Sequence, residues 1–341
     1  MIYLIYLFYL FYLLYIIYFI LHKYFKKHFW YNVYKKLNND KSSYYTDQNL
    51  NEIIIEKNIN NLNLNNITNL YKSYFPSSFK ITHTTFKNLY RMENPAFIYK
   101  NESNTIIAGV FNSINDIIYK NKICKANFID YAVVHYEKRH QNIFQSLMNS
   151  IAKYTNENNT KYIIFKIDMN PIPSFQYYNF KSNYYYLKKN KINYQETLLT
   201  VEKKDNYEDY YDKINNSLSK LKIYPKLSKN TTFANILKNN DTYITIIIDN
   251  NIIMNFKRHS PEHIELLYIL KTGLNNNEQL LSSYKAGLLF IKKTEIFDRI
   301  TVDSIGFNLS IIELFEYSHK TYHYTLGINE TFNESEYYYY F

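Results

Sequence analysis

The chain has 341 residues, enough for one large domain or two of ordinary size, and a formal net charge of +10. That charge asks for anionic partners, but the lysines are scattered and no RRM, KH or zinc-finger pattern occurs, so coenzyme phosphates or an anionic membrane surface fit better than nucleic acid. Cys124 is the one cysteine, which excludes an internal disulfide and any multi-cysteine metal site and makes a reducing compartment the simpler setting.

Residues 1–21 (MIYLIYLFYLFYLLYIIYFIL) carry no charge over about the length needed to cross a bilayer. No Ala, Gly or Ser precedes Ser42, so a cleaved signal is not expected. Lys23, Lys26, Lys27, Lys35 and Lys36 follow the span, and the positive-inside rule then predicts an uncleaved membrane anchor with the body of the protein facing the cytoplasm. Residues 22–52 are a basic flank and polar linker.

Helices are expected over 59–74 and 84–92, and strands over 97–99, 105–111 and 124–134. A helix over 144–154 and a buried strand over 162–167 follow. A second round begins with helices over 207–221 and 231–237 and a strand–turn–strand over 242–256, turning at Asp249-Asn250-Asn251. The stretch 280–292, a helix-like pattern from Ile311 and the terminal tyrosine run complete it. The order is α/β, in two halves at 53–200 and 201–341 that suggest a structural duplication.

The most informative passage is 130–148. Ala132-Val133-Val134 is a short buried-strand run, ended by the polar stretch from His135 to Gln141. Ile143, Phe144, Leu147, Met148 and Ile151 then recur at helical spacing. A helix starting there aims unpaired N–H groups and the positive end of its dipole into the turn, which suits a pyrophosphate, and Lys138 and Arg139 add charge. An ordinary strand–turn–helix with a solvated basic turn has the same pattern.

Further marks stand in order along the chain. Residues 79–90 (FKITHTTFKNLY) open Phe-basic-apolar, and Ile107-Ala108-Gly109-Val110-Phe111 is a glycine-bearing strand. Asp130-Tyr131-Ala132-Val133-Val134-His135 is followed by Arg139, then by Pro171-Ile172-Pro173 and Tyr178-Asn179-Phe180-Lys181-Ser182. The strand–turn–strand of 241–261, Leu326-Gly327-Ile328 and Tyr337-Tyr338-Tyr339-Tyr340-Phe341 close the series. In this order and spacing the chain resembles the glycylpeptide N-tetradecanoyltransferases (N-myristoyltransferases). It departs from them where Phe180 replaces a histidine, where a second glycine is missing after Ile328, and in the large residues Asn142 and Phe144 at the turn.

The resemblance implies two fused GNAT-like halves forming a saddle-shaped mixed sheet flanked by helices, preceded here by the N-terminal hydrophobic helix. It implies acyl-CoA binding in 53–200 and peptide binding in 201–341. The backbone N–H groups of Tyr131 and Ala132 would stabilise the oxyanion. The pyrophosphate would lie against His135, Lys138, Arg139, His140, Gln141, Asn142, Ile143 and Phe144, and the peptide against Tyr178 and Phe180. The family's base, the chain-terminal carboxylate, carries over onto Phe341, with Asp130 as a substitute. The α-amine's pKa of about 8 lets a modest base suffice.

The expected activity is transfer of myristate from myristoyl-CoA to an N-terminal glycine amine of a protein, by a monomer at a membrane, with acyl-CoA as co-substrate and no metal or resident cofactor. The alternatives are a GNAT-type acyltransferase with another donor or acceptor, and a catalytically degenerate membrane-tethered acyl-CoA-binding homologue.

Overall fold

The computed structural model describes residues 11–18, 53–56, 64–74, 96–101, 103–138, 143–168, 179–204, 207–272, 277–328 and 330–337. Its first part comprises β1 (Ile53–Glu56), α1 (Leu64–Tyr74), β2 (Ala96–Lys100), β3 (Ile106–Tyr119), β4 (Lys122–Val134), α2 (Ile143–Glu157), β5 (Tyr162–Asp168) and β6 (Phe180–Lys188). Its second part has β7 (Val201–Lys203), α3 (Tyr211–Leu218), β8 (Ile223–Pro225), α4 (Thr232–Ile236), β9 (Tyr243–Ile248) and β10 (Ile252–Ser260). It ends with β11 (His263–Lys271), α5 (Asn277–Thr294), β12 (Arg299–Asp303) and β13 (Glu316–Leu326).

All thirteen strands join one mixed sheet in the order β1-β2-β3-β4-β5-β13-β6-β12-β11-β10-β9-β7, with β8 paired to β3. Two pairs, β4–β5 and β11–β12, are parallel, and each is bridged by a helix. The same plan therefore runs twice: an antiparallel meander (β2-β3-β4 or β9-β10-β11), a helix (α2 or α5), and a strand parallel to the last one. Strands β6 and β13 cross between the two runs, β13 lying between β5 and β6. The β3–β4 hairpin turns at Lys120 and Asn121, both at positive φ (50° and 59°), the geometry of a two-residue turn that matches strand twist.

Side chains alternate across the sheet, so each face has its own cover. Helix α2 packs Ile143, Leu147, Met148 and Ile151 on Phe97, Val110 and Ile163, and α5 packs Leu280, Tyr284, Leu288 and Ile291 on Ile246, Ile248 and Met254, on the same face. On the other face Tyr71 of α1 lies beside Phe111 of β3, while α3 and α4 bury Ile214, Leu218, Phe233 and Ile236 against Ile247, Ile253 and Leu267. Between these two apolar ends the face is polar.

Several expectations need correction. The helix expected from Ile311 is instead two 3-10 turns, Gly306–Ser310 and Ile312–Leu314, followed by β13. Strand β3 runs on to Tyr119, well past the expected end at 111. Of the expected N-terminal hydrophobic helix, residues 11–18 are described and are helical with mostly exposed apolar side chains, and among the described residues no helix is long and apolar enough to cross a membrane. The rest of 1–21, the expected helix at 84–92, and 169–178 lie outside the described residues.

Candidate active site

Parallel strands that diverge leave a gap between their backbones. The β4–β5 ladder holds only over Ala126↔Tyr162, Asn127↔Ile163 and Phe128↔Ile164. Beyond it β5 continues beside β13, with Phe165 opposite Tyr324 and Lys166 opposite His323, while β4 stays with β3 through a bulge between Gly109 and Phe111. Residues from Asp130 to Val134 therefore border an opening between the two strands, and both Asp130 and Ala132 are exposed.

The helix that follows is firmly anchored. Asn112 donates to Asn127 (2.8 Å), Asn127 donates to Thr155 of α2 (2.6 Å), and Thr155 donates to the Ile151 carbonyl (2.6 Å). This buried chain ties β3, β4 and α2 together, with Asn127 and Thr155 bonded at both ends while Asn112 Oδ1 is left buried without a partner. The His135 N–H donates to the Ile107 carbonyl (2.8 Å), and Tyr136–Lys138 forms a 3-10 turn closed by Lys138 N–H on the His135 carbonyl (2.9 Å). Ile143 is buried and Phe144 half-buried in the α2 core, so their side chains anchor the helix and only their backbone groups can serve an anion.

The second half has the corresponding opening and closes it. Strands β11 and β12 pair from His263↔Arg299 to Leu266↔Val302 and then separate. Asn308, 1% exposed, fills the gap: its Nδ2 donates to the Leu267 carbonyl (2.9 Å) and its Oδ1 accepts from the Ile269 N–H (3.1 Å). One side-chain amide thus takes the place of a peptide group on a neighbouring strand.

A polar stripe crosses the face between α1 and α3/α4, over six adjacent strands from β5 to β10. Glu265, 4% exposed, sits at its centre and is register partner of Lys257. Its Oε2 lies 2.6 Å from His259 Nε2, its Oε1 accepts from Tyr184 OH (2.9 Å), and Lys166 Nζ is 3.7 Å away. Burial acts to raise the Glu265 pKa, but Lys166, the His259 bond and Lys257 hold it well below the usual carboxylate range. Burial lowers Lys257, against the raising charges of Asp130 and Glu265. Burial likewise lowers His259, and burial followed by the His259 charge brings His263, whose Nε2 is 2.7 Å from Thr301 Oγ1, to about 3.

Farther along the stripe His323 Nε2 lies 2.7 Å from Ser182 Oγ and 3.4 Å from Asp303 Oδ2. The residue types are those of a hydrolytic triad, but both partners meet the same ring nitrogen and Ser182 is 1% exposed. A nucleophile that must reach substrate is lacking in that geometry. Phe180 stacks on His323 at 4.2 Å and 6°, so a histidine stands one strand away from the position where Phe180 replaces one.

Of the residues expected at the site, Tyr131 and Ala132 border the opening on β4, and His135 and Lys138 lie in the turn beyond it. Phe180 is buried in the stripe's aromatic end, away from any exposed surface. Arg139, His140, Gln141, Asn142, Tyr178 and Phe341 lie outside the described residues. Sequence reading missed Lys166, Tyr184, Lys257, His259, His263, Glu265 and Asn308. The short pattern K-R-H-S-P-E-H-I-E over 257–265 carries the only local signal for four of these, charged and imidazole residues alternating on a strand pair.

No family model matches the sequence, and no curated protein matches it. Solved structures do match the fold. N-myristoyltransferase of Saccharomyces cerevisiae with bound myristoyl-CoA aligns at TM-score 0.67 and 10% identity over 84% of this chain and 83% of that one. A second structure of that enzyme with myristoyl-CoA gives 0.66 at 8% identity over 82% and 84%, and one with myristoyl-CoA and inhibitors gives 0.66 at 11% over 84% of each. The chain is a divergent example of the N-myristoyltransferase fold.

Proposed function

We propose that the protein is an acyl-CoA-dependent acyltransferase that moves a long acyl chain, myristate in the leading reading, onto the α-amine of an N-terminal glycine. The observation that carries it is the asymmetry of the two halves: the β4–β5 opening has exposed residues at its rim, whereas Asn308 fills its counterpart. The pantetheine arm of CoA carries amides able to pair with backbone groups along a strand edge. The N-terminus of α2, with no acidic residue in its first turn, suits the pyrophosphate, joined by Lys138 and Arg139. In this reading the N–H groups of Tyr131 and Ala132 receive the negative charge that develops on the thioester oxygen as the amine adds.

The reaction needs no redox step. The neutral amine forms a C–N bond to the thioester carbon, the C–S bond breaks, and CoA leaves as its thiol after taking a proton. The testing experiment offers the full chain myristoyl-CoA and peptides beginning with Gly or Ala. Acylation of the Gly peptides alone supports the reading. Acylation of another amine, or preference for a different acyl-CoA, favours a differently specific acyltransferase, a reading to which the replacement of a histidine by Phe180 lends weight. Tight acyl-CoA binding without turnover would point to a non-catalytic homologue.

A further inference from the structure

We infer that the far edge of the sheet holds a separate anion site, an open cavity that takes the carboxylate or phosphate group of a small organic molecule. It lies beside β7, β9 and β10, at the end of the sheet remote from the β4–β5 opening. Its volume is about 400 Å³, room for a small metabolite rather than a single ion. Lys203 at the end of β7, residues 239–241 of the loop between α4 and β9, and Arg258 of β10 surround it, together with Glu295, the residue after α5.

The acceptors on the wall are already engaged. Glu295, 9% exposed, accepts from Lys203 Nζ on Oε1 and from Arg258 on Oε2 (2.6 Å), while its carbonyl accepts from Lys189 Nζ (2.7 Å). Asn239 Oδ1 accepts the Thr245 N–H (2.7 Å), and Asn240 Oδ1 accepts the N–H groups of Thr242 and Tyr243 (2.8 Å each). Donors, by contrast, are in surplus. A guanidinium has five N–H groups and an ammonium three. Arg258 places one on Glu295 and one on the Ile296 carbonyl (3.0 Å), Lys203 places one on Glu295, and neither side chain has a further partner among the described residues. The two side chains remain 25% and 41% exposed, so a ligand can reach the N–H groups left over.

The charges point the same way. Lys189, Lys203 and Arg258 outweigh Glu295, and Lys292 and Lys293 in the last turn of α5 offset the carbonyl end of that helix. Asp241 is the remaining carboxylate on the wall; it is exposed, where solvent screens its opposition to an anion. The donors are also held in place. The Arg258 N–H donates to the Thr242 carbonyl of the same loop (2.7 Å), and its guanidinium is forked between Glu295 and Ile296. Fixed cationic donors beside saturated acceptors suit a ligand group made of acceptors alone, which a carboxylate or phosphate is.

The test is calorimetry on the full chain with glycerol 3-phosphate and with succinate, in wild type, Lys203→Met and Asp241→Asn. Wild type should bind at millimolar affinity or better. K203M should weaken binding about 10-fold, the loss of one charge-assisted hydrogen bond. D241N alters an exposed side chain and should tighten binding about 3-fold. No binding of either probe overturns the assignment. Binding that both variants leave unchanged also overturns it, because the anion then sits elsewhere on the chain, and weaker binding in D241N would show that the cavity prefers a cation. If K203M does not fold, the sign of the D241N effect still decides the matter. Phosphatidylglycerol vesicles that displace glycerol 3-phosphate from wild type would make a lipid headgroup the source of the anion; failure to displace it would make the source a soluble metabolite. The readout is binding, so an absence of acyl transfer would overturn the functional reading and leave this site standing.

Discussion

Replacing Asn308 with alanine tests the account of the closed second opening. Asn308 is 1% exposed and joins the Leu267 carbonyl (2.9 Å) to the Ile269 N–H (3.1 Å). Alanine removes both bonds at once and leaves a buried carbonyl and a buried N–H without that partner. Each such group costs about 1–3 kcal/mol, so N308A should destabilise by about 2–5 kcal/mol. Urea unfolding measures this as a lower midpoint at unchanged slope. Asn308→Asp is the sharper variant, because it keeps an acceptor for Ile269 but turns an oxygen toward the Leu267 carbonyl; it should be at least as unstable as N308A. A loss below about 0.5 kcal/mol for N308A would show that water replaces the amide at little cost, and the argument that this side chain seals the opening would fail.

The buried histidines predict acid sensitivity. The His263 pKa is lowered to about 3, and that of His259 is also lowered, whereas the unfolded chain binds their protons below about 6.5. Unfolding thus takes up protons, so this stability is complete above pH 6.5 and is lost as pH falls, by about 2 kcal/mol for His263 alone at pH 5. The urea midpoint should drop between pH 7.5 and 5.0 by correspondingly more in wild type than in His263→Gln; equal drops would rule out His263 as the source. Two glycines should also rank in a fixed order. Gly327 has φ +97°, and a Cβ there would lie 2.9 Å from the Lys161 carbonyl oxygen, which is backbone. At Gly287 the Cβ would meet side-chain ends, Met254 Sδ at 2.7 Å and Ile248 Cδ1 at 2.8 Å. G327A should therefore cost about 2 kcal/mol or more, and more than G287A, whose neighbours can give; thermal unfolding that reverses the order would contradict the packing argument.

The strand–turn–helix at 130–148 is legible in sequence because its buried positions are apolar and change period from strand to helix at the turn. Strands β6 and β13 are not legible in that way. Their buried positions include Ser182, Thr321 and His323, so FKSNYYYLK and EYSHKTYHYTL show no apolar alternation, and the residues after Ile311 look more like a helix. The failure falls where the polar stripe runs, which is where local pattern and burial disagree. Gly109 illustrates the opposite error. It serves as a mark of resemblance, yet a Cβ there would meet nothing closer than Ile67 Cδ1 at 3.6 Å, so space alone does not demand glycine. Asn308 is a single residue in an asparagine-rich chain, and only the separation of β11 from β12 reveals its task.

The doubled plan also bears on how the two halves differ. A parallel pair bridged by a helix diverges beyond its paired residues, so repeating the unit creates two backbone edges in need of partners. An edge satisfied from within, as Asn308 satisfies β11, is spent as a binding surface. The edge at Asp130 to Val134 keeps exposed residues at its rim, and the strands of the other half are then free to supply side chains rather than a second ligand cradle. Lys257, His259 and Glu265 lie on β10 and β11, in the half whose own opening is closed. The crossing of β6 and β13 joins these parts into one rigid sheet, with Tyr184 of β6 bonded to Glu265 of β11 and His323 of β13 paired in register with Lys166 of β5. Loosening that crossing should therefore disturb the charge pattern around Glu265 before it disturbs the β4–β5 opening. Tyr184→Phe, which removes the hydroxyl that donates to Glu265 and meets Thr301, is the mildest such change. It should lower kcat for the peptide while leaving myristoyl-CoA affinity in place, and a loss of affinity with kcat intact would show that the two halves are coupled in the reverse sense.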